Sequence, residues 1–164
     1  MAETARILVI DDDEGVRKTL ATILEEKGYI VDTAEYGQEA IEKSKTKFYN
    51  LALIDIRLPD MEGTKLLTAM KETTPKMVKI IITGYPSLNN AIDAVNKGAD
   101  GYVVKPFNMD SVLNTIKEHL KKQQETKKYS EQKVAEFIET RAKELEEKTI
   151  TLKQPIKNPV LLHF

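Results

Sequence analysis

Asp11, Asp12, Asp55, Thr83 and Lys105 are the residues whose types and placement could do chemistry in this 164-residue sequence. Each stands at or just past the end of a short apolar run. Arg6-Ile-Leu-Val-Ile10 stops at Asp11, Leu51-Ala-Leu-Ile54 at Asp55, Val78-Lys-Ile-Ile-Ile82 at Thr83, and Gly101-Tyr-Val-Val104 at Lys105. Carboxylates brought together repel one another, and loss of water near strand ends adds to the cost. A hard divalent cation relieves both penalties. Mg2+ prefers oxygen ligands and bridges carboxylate to phosphate, so it suits such a set better than Zn2+. A carboxylate beside that ion can attack a phosphoryl group to give an acyl phosphate. The Lys105 ammonium and Thr83 hydroxyl would then hold the phosphoryl oxygens, stabilising charge where phosphoryl transfer gains most of its rate.

These residues can act together only if the chain brings the ends of the runs to one place. Apart from Arg6 and Lys79 the runs are apolar, which suggests strands buried on both faces, as in a parallel sheet. Between them the apolar spacing turns helical. Val16, Leu20, Ile23 and Leu24 precede a stop at Gly28, and Tyr29-Ile-Val31 is a further strand candidate. A short helix after Gly37 carries Ala40 and Ile41, with Lys43, Lys45 and Lys47 near its end, where the helix dipole favours cations. The loop Arg57-Leu-Pro-Asp-Met-Glu-Gly63 leads into a helix with Leu66, Leu67 and Met70, and Pro75 ends that region. Ala91, Ile92 and Val95 lie on a helix closed by Gly98; Asn108 is placed to cap the next, with a core face of Val112, Leu113, Ile116 and Leu120. Five strands alternating with five helices predict an α/β fold: a doubly wound five-stranded parallel sheet covered on both faces. Ligands of such sheets bind beyond the carboxyl ends of the strands. That rule gathers Asp11, Asp12, Asp55, Thr83 and Lys105 on one rim.

Composition bounds the rest. The chain is 41% hydrophobic and 31% charged, which suits a domain with a substantial core. It has no Cys, which excludes disulfide scaffolds and thiolate metal sites. No apolar run approaches a membrane span and no signal peptide is visible at the start, so a cytoplasmic location is the expectation. The formal net charge is −1, and no basic cluster suggests direct contact with nucleic acid. The charge is uneven, however: acids exceed bases by four in residues 1–116, and bases exceed acids by three in 117–164.

The segments ILVIDDDEGVR at 7–17, LALIDIRLPDMEG at 51–63, IIITGY at 80–85 and GADGYVVKPF at 98–107 resemble the response-regulator receiver domains, with several motifs agreeing in order and spacing. The resemblance covers about residues 5–122. It implies a flavodoxin-like fold and a stoichiometric switch of two-component phosphorelays rather than an enzyme. By position, Asp55 would accept a phosphoryl group from a histidine kinase or phosphotransfer protein. Asp12 would bind Mg2+ directly, Asp11 through metal-bound water, and the Arg57 carbonyl would be a further ligand. Thr83 and Tyr102 match the switch pair, Lys105 the phosphate-binding lysine, and Lys105–Pro106 a peptide bond that is usually cis. Arg57 and Tyr85 occupy the two positions that influence water access to the phosphorus. Both are large, so slow loss of the phosphate is expected. The output surface would be the helix at about 87–97, the fifth strand and the helix from 110.

Several residues carry plainer readings. Asp13 is expected to cap the first helix and Met61 to pack. His119 and His163 have no partner spacing. An aspartate-nucleophile phosphatase, the reading from the enzyme class, would carry a second Asp two residues after the nucleophile, where this chain has Arg57. The domain boundary is expected at 122/123, followed by a helical extension and an apolar tail. Lys121–Lys128 is either continued helix or linker. Val134, Phe137, Ile138 and Leu145 suggest an amphipathic helix that packs on the receiver or on another copy, or a signalling helix leading to an output partner; a phosphorylation-dependent homodimer is a further expectation. Ile138, Leu145 and Leu152 are seven apart, but Arg141 and Lys148 interrupt the heptad. Pro155 and Pro159 end any helix before Val160–Phe164. Output is expected through contact with a downstream protein, unless the chain is part of a longer kinase or transcription regulator.

Overall fold

The computed structural model describes residues 4–153, with side chains through residue 149. The elements alternate: β1 (Arg6–Ile10), α1 (Glu14–Glu26), β2 (Ile30–Ala34), α2 (Gly37–Thr46), β3 (Leu51–Asp55), α3 (Gly63–Ala69), β4 (Val78–Thr83), α4 (Leu88–Asn96), β5 (Gly101–Val104) and α5 (Met109–Lys153). All strand pairs are parallel, in the order β2-β1-β3-β4-β5. This is the doubly wound, flavodoxin-like receiver fold expected from the sequence, with its C-terminal helical extension.

Strand alternation divides the core between the two faces of the sheet. Leu8, Ile10, Ala52, Ile54 and Ile81 pack with Ala40, Leu66, Leu67, Met70 and Ala94 from α2 to α4. Ile7, Val9, Leu51, Leu53, Ile80 and Ile82 pack on the other face with Leu20 and Leu24 of α1 and Val112 and Ile116 of α5. Because both faces are covered, the central strands read as continuous apolar runs. Strand β2 lies at the sheet edge and does not. It runs three residues past the expected Val31, through Asp32, Thr33 and Ala34. Half-exposed edge strands tolerate polar residues, so hydrophobicity alone ends it too early.

The helix ends follow local chemistry. The Asp13 carboxylate accepts the Val16 amide at 3.0 Å, capping α1, and Asn108 accepts the Ser111 amide at 3.2 Å at the start of α5. Gly28 and Gly98 take the positive φ that follows a helix C-terminus. Helix α3 ends at Ala69, well before Pro75, and the Thr74–Pro75 peptide is cis.

The chain divides into two compact units, Met1–Glu125 and Thr126–Phe164. Near the end of the first, the Gln123 side-chain amide donates to the backbone oxygens of Asn50 and Lys76, each at 2.8 Å. These bonds fix α5 against the loops that enter β3 and β4, at the pole opposite the strand ends bearing Asp55 and Thr83. Residues 121–128 are continuous helix rather than a linker. In the second unit, Val134, Phe137, Ile138 and Leu145 are exposed. The expectations for Pro155, Pro159, His163 and Val160–Phe164 lie outside the described residues. No described helix is long and apolar enough to cross a membrane.

Candidate functional site

The carboxyl ends of β1 and β3 bring three carboxylates together. Asp11, Asp12 and Asp55 each offer an oxygen within 4.8 Å of the others. Asp11 and Asp55 are buried while Asp12 is exposed, so the cluster is open to solvent on one side. Backbone groups orient it. Asp11 Oδ1 accepts the Asp13 amide at 2.9 Å, and the Arg17 guanidinium donates to the Asp11 carbonyl at 2.7 Å. Asp55 Oδ1 accepts the Arg57 amide in a long contact of 3.4 Å.

Lys105, just past β5, reaches across the sheet edge into this cluster. Its Nζ donates to Asp11 at 2.8 Å and stands 3.6 Å from Asp55 Oδ2. Burial pushes the Asp55 carboxyl up, and the Asp11 charge adds to that; Lys105 and the Arg57 amide oppose it, leaving Asp55 at about 6. Burial pulls the Lys105 ammonium down, but its hydrogen bond to Asp11 and the charges of Asp11 and Asp55 outweigh burial and raise it. The site thus holds more negative charge than one ammonium neutralises. Its donors are carboxylate oxygens without His or Cys, a set that could hold a hard divalent cation.

Thr83 ends β4, beside β3, and is fully buried. Its Oγ1 accepts the Tyr85 amide at 2.9 Å, and its carbonyl accepts the Lys105 amide at 2.7 Å. The Lys105–Pro106 peptide is cis. Tyr102 packs against the α2–α4 side of the core, and its buried hydroxyl has no hydrogen-bond partner. Arg57 and Tyr85, from two different loops, meet face to face: the guanidinium carbon lies 3.8 Å from the ring centroid.

The loop from Arg57 to Gly63 is held by Met61, which packs as expected, and by Gly63 and Asp60, whose roles sequence reasoning missed. Gly63 lies so close to β3 that an added Cβ would sit 2.0 Å from the Asp55 carbonyl oxygen. Its amide donates to the Ile56 carbonyl at 2.7 Å. The Asp60 carboxylate accepts the Gly37 and Gln38 amides at 2.8 and 2.9 Å, capping α2 from a distant loop. Tyr36, the local N-cap residue, supplies no side-chain bond. Met61 packs over Gly37, where a Cβ would meet its sulfur at 2.4 Å. A local scan for caps cannot find Asp60, because it is remote in sequence.

With this geometry in hand, comparison with known proteins is direct. Residues 7–117 match the response regulator receiver domain, and the chain belongs to that family. A CheY-like receiver domain protein from Methanospirillum hungatei JF-1 is 44% identical with a TM-score of 0.73, covering 76% of this chain and 99% of that one. A Burkholderia pseudomallei response regulator, solved with a phosphorylated aspartic acid, calcium ion and citrate, is 31% identical with a TM-score of 0.63; it covers 75% of this chain and 72% of that one. The transcriptional regulatory protein ZraR of Klebsiella oxytoca is 36% identical over 118 residues, 72% of this chain and 27% of ZraR. The chain therefore spans about a quarter of the length of that curated relative.

Proposed function

We propose that this chain is a phosphorylation switch in which Asp55 accepts a phosphoryl group from the phosphohistidine of a kinase or phosphotransfer protein. The observation that carries the reading is the Asp11–Asp12–Asp55 cluster with the Lys105 ammonium against it. In the transfer, an Asp55 carboxylate oxygen attacks phosphorus, the P–N bond to histidine breaks, and an acyl phosphate forms on the chain. Asp12 and Asp55, Asp11 through water, and the Arg57 carbonyl would hold Mg2+. When bound, the ion supplies charge neutralisation to the transferring group. Lys105 and the Thr83 hydroxyl take the phosphoryl oxygens, and Thr83 leaves the Tyr85 amide to do so. Tyr102 already stands inward with its hydroxyl buried, and the Thr83 shift holds it there; the face of α4, β5 and the start of α5 reports the change to a partner protein.

The role is stoichiometric. With Arg57 in place of an acid two residues after Asp55, no carboxyl group stands at the acid/base position of the aspartate-nucleophile phosphatases. Arg57 and Tyr85 slow attack by water and so set the lifetime of the phosphate. The phosphorylated aspartic acid in the Burkholderia relative supports the assignment of chemistry. A second reading, favoured by the coverage of ZraR, is that this receiver serves within a longer regulator whose output lies elsewhere.

The test is incubation with Mg2+ and a small phosphodonor, followed by intact mass. The native chain should gain one phosphoryl group and the Asp55→Asn chain none. Equal labelling of both, or of neither, would overturn the proposal.

A further inference from the structure

The second unit carries an exposed apolar face. Val134, Ile138, Ala142, Leu145 and Thr149 follow one another at steps of four, four, three and four residues. At about 100° per residue these positions fall within an arc of roughly 80° on the helix. Val134, Ile138 and Leu145 are 58%, 61% and 55% exposed; Phe137, 67% exposed, lies outside the arc, on the far side of Arg141 and Lys148. Most helical stability in proteins comes from packing an amphipathic face rather than from propensity, so a helix of this length with its apolar face in water calls for a partner.

The charges beside the stripe say which partner. One flank carries Arg141 and Lys148; the other carries Glu139 and Glu146. Both pairs are seven residues apart, so each forms a row parallel to the stripe. Arg141 and Glu139 also bond Glu144 and Lys143 of their own helix at 2.9 and 3.4 Å, exposed pairs that leave their remaining hydrogen-bonding groups to a facing row. In two parallel helices related by a two-fold axis, opposite flanks meet, and the basic row of each copy faces the acidic row of the other. In an antiparallel pair, like flanks meet, and acid would face acid. A bilayer surface would favour a polar face rich in Lys and Arg. Here that face alternates in sign, with Lys133 paired to Glu136.

From this self-complementary pattern we infer that residues 134–149 form a parallel homodimeric helix pair, with the stripe as its seam and the Arg141/Lys148 and Glu139/Glu146 rows as its selectivity filter. Ala142 and Thr149 let the helices approach, while Ile138 and Leu145 fill the seam. The interrupted heptad at Arg141 and Lys148 is thereby accounted for: these residues flank the seam rather than occupy it. The association does not depend on phosphorylation of Asp55, so it goes beyond the switch reading and stands or falls separately.

The experiment uses the full chain and its charge-reversed variants. The native protein should sediment as a dimer at micromolar concentration, and Asp55→Asn should behave alike. Arg141→Glu with Lys148→Glu makes both flanks acidic, and Glu139→Lys with Glu146→Lys makes both basic. Each variant alone should lose self-association by roughly ten- to a hundredfold, while a mixture of the two should form a heterodimer. That recovery shows that the variants fold. The chain has no native Cys, so Ala142→Cys and Thr149→Cys, made singly, report the direction of pairing. In a parallel pair each forms a disulfide with its own copy. A native chain that stays monomeric, a mixture that does not associate, or cross-linking at only one of the two positions would overturn the inference; the first would leave the stripe to a different protein.

Discussion

Lys105 is closer to Asp11, at 2.8 Å, than to Asp55, at 3.6 Å, so the ammonium is committed to the carboxylate that does not carry the phosphoryl group in the proposed reaction. Phosphorylation must therefore draw it from one acid to the phosphate on the other. Lys105→Met should separate two effects. Without the competing cation the carboxylate cluster gains Mg2+ affinity several-fold, while phosphorylation slows by about ten- to a hundredfold because the transferring group loses a positive charge. Calorimetric titration with Mg2+ and rates of labelling by a small phosphodonor read the two separately. A loss of both would mean that Lys105 acts by holding the fold.

Asp55 should weaken the metal-free protein. Its folded pKa, about 6, lies above the ordinary value of 3.8, so the folded state favours the protonated form. Ionisation then costs stability: the cost is absent below pH 3.8, grows as pH rises, and is complete above pH 6. Asp55→Asn removes it and should stabilise the metal-free chain by about 1–3 kcal/mol at neutral pH, with little gain near pH 4. Urea melts of both chains at the two pH values check this. A gain independent of pH would show that the charge is not its source.

Arg57 and Tyr85 should act as one unit. Their stack is worth about 0.5–1 kcal/mol at an exposed position, and loss of either residue breaks it. Arg57→Ala and Tyr85→Ala should each shorten the lifetime of the acyl phosphate a few-fold, and the double substitution should add less than the product of the two. Fully multiplicative effects would mean that each residue shields the phosphate by its own bulk alone.

Gly63→Ala should be more harmful than its small size suggests. The new Cβ would sit 2.0 Å from the Asp55 carbonyl oxygen, so the backbone of the acceptor or of α3 must shift. Overpacking of this kind costs about 1–3 kcal/mol. The chain should melt earlier and take up phosphate more slowly. Native stability and labelling in this variant would show that the loop has slack.

The sequence made the proposed acceptor legible because its strands are buried on both faces and stop abruptly at functional groups; Ile54 and Asp55, or Ile82 and Thr83, mark the edge between core and candidate site. It was less informative wherever a long-range contact replaced a local one. Strand β2 carries Asp32, whose carboxylate accepts the Tyr49 hydroxyl at 2.6 Å, and no hydrophobic pattern announces such an edge residue. Lys79 is the one charge within the β4 run, and its burial is explained only by the fold, where its Nζ donates to the Leu67 carbonyl at 2.7 Å. The bulk of Arg57 and Tyr85 was readable, but their stacking was not. Asp60 lies in a loop motif yet acts on α2, a partner that only the folded chain brings near.

The central claim is that Asp55 carries the phosphoryl group, and reductive trapping tests it most directly. After treatment with Mg2+ and a small phosphodonor, borohydride converts an acyl phosphate to an alcohol, so a phosphorylated aspartate becomes homoserine at its own position. Peptide mapping by mass spectrometry should place homoserine at residue 55, with none at Asp11 or Asp12. Homoserine at either of those positions, or its absence from a chain shown to be labelled, would contradict the account.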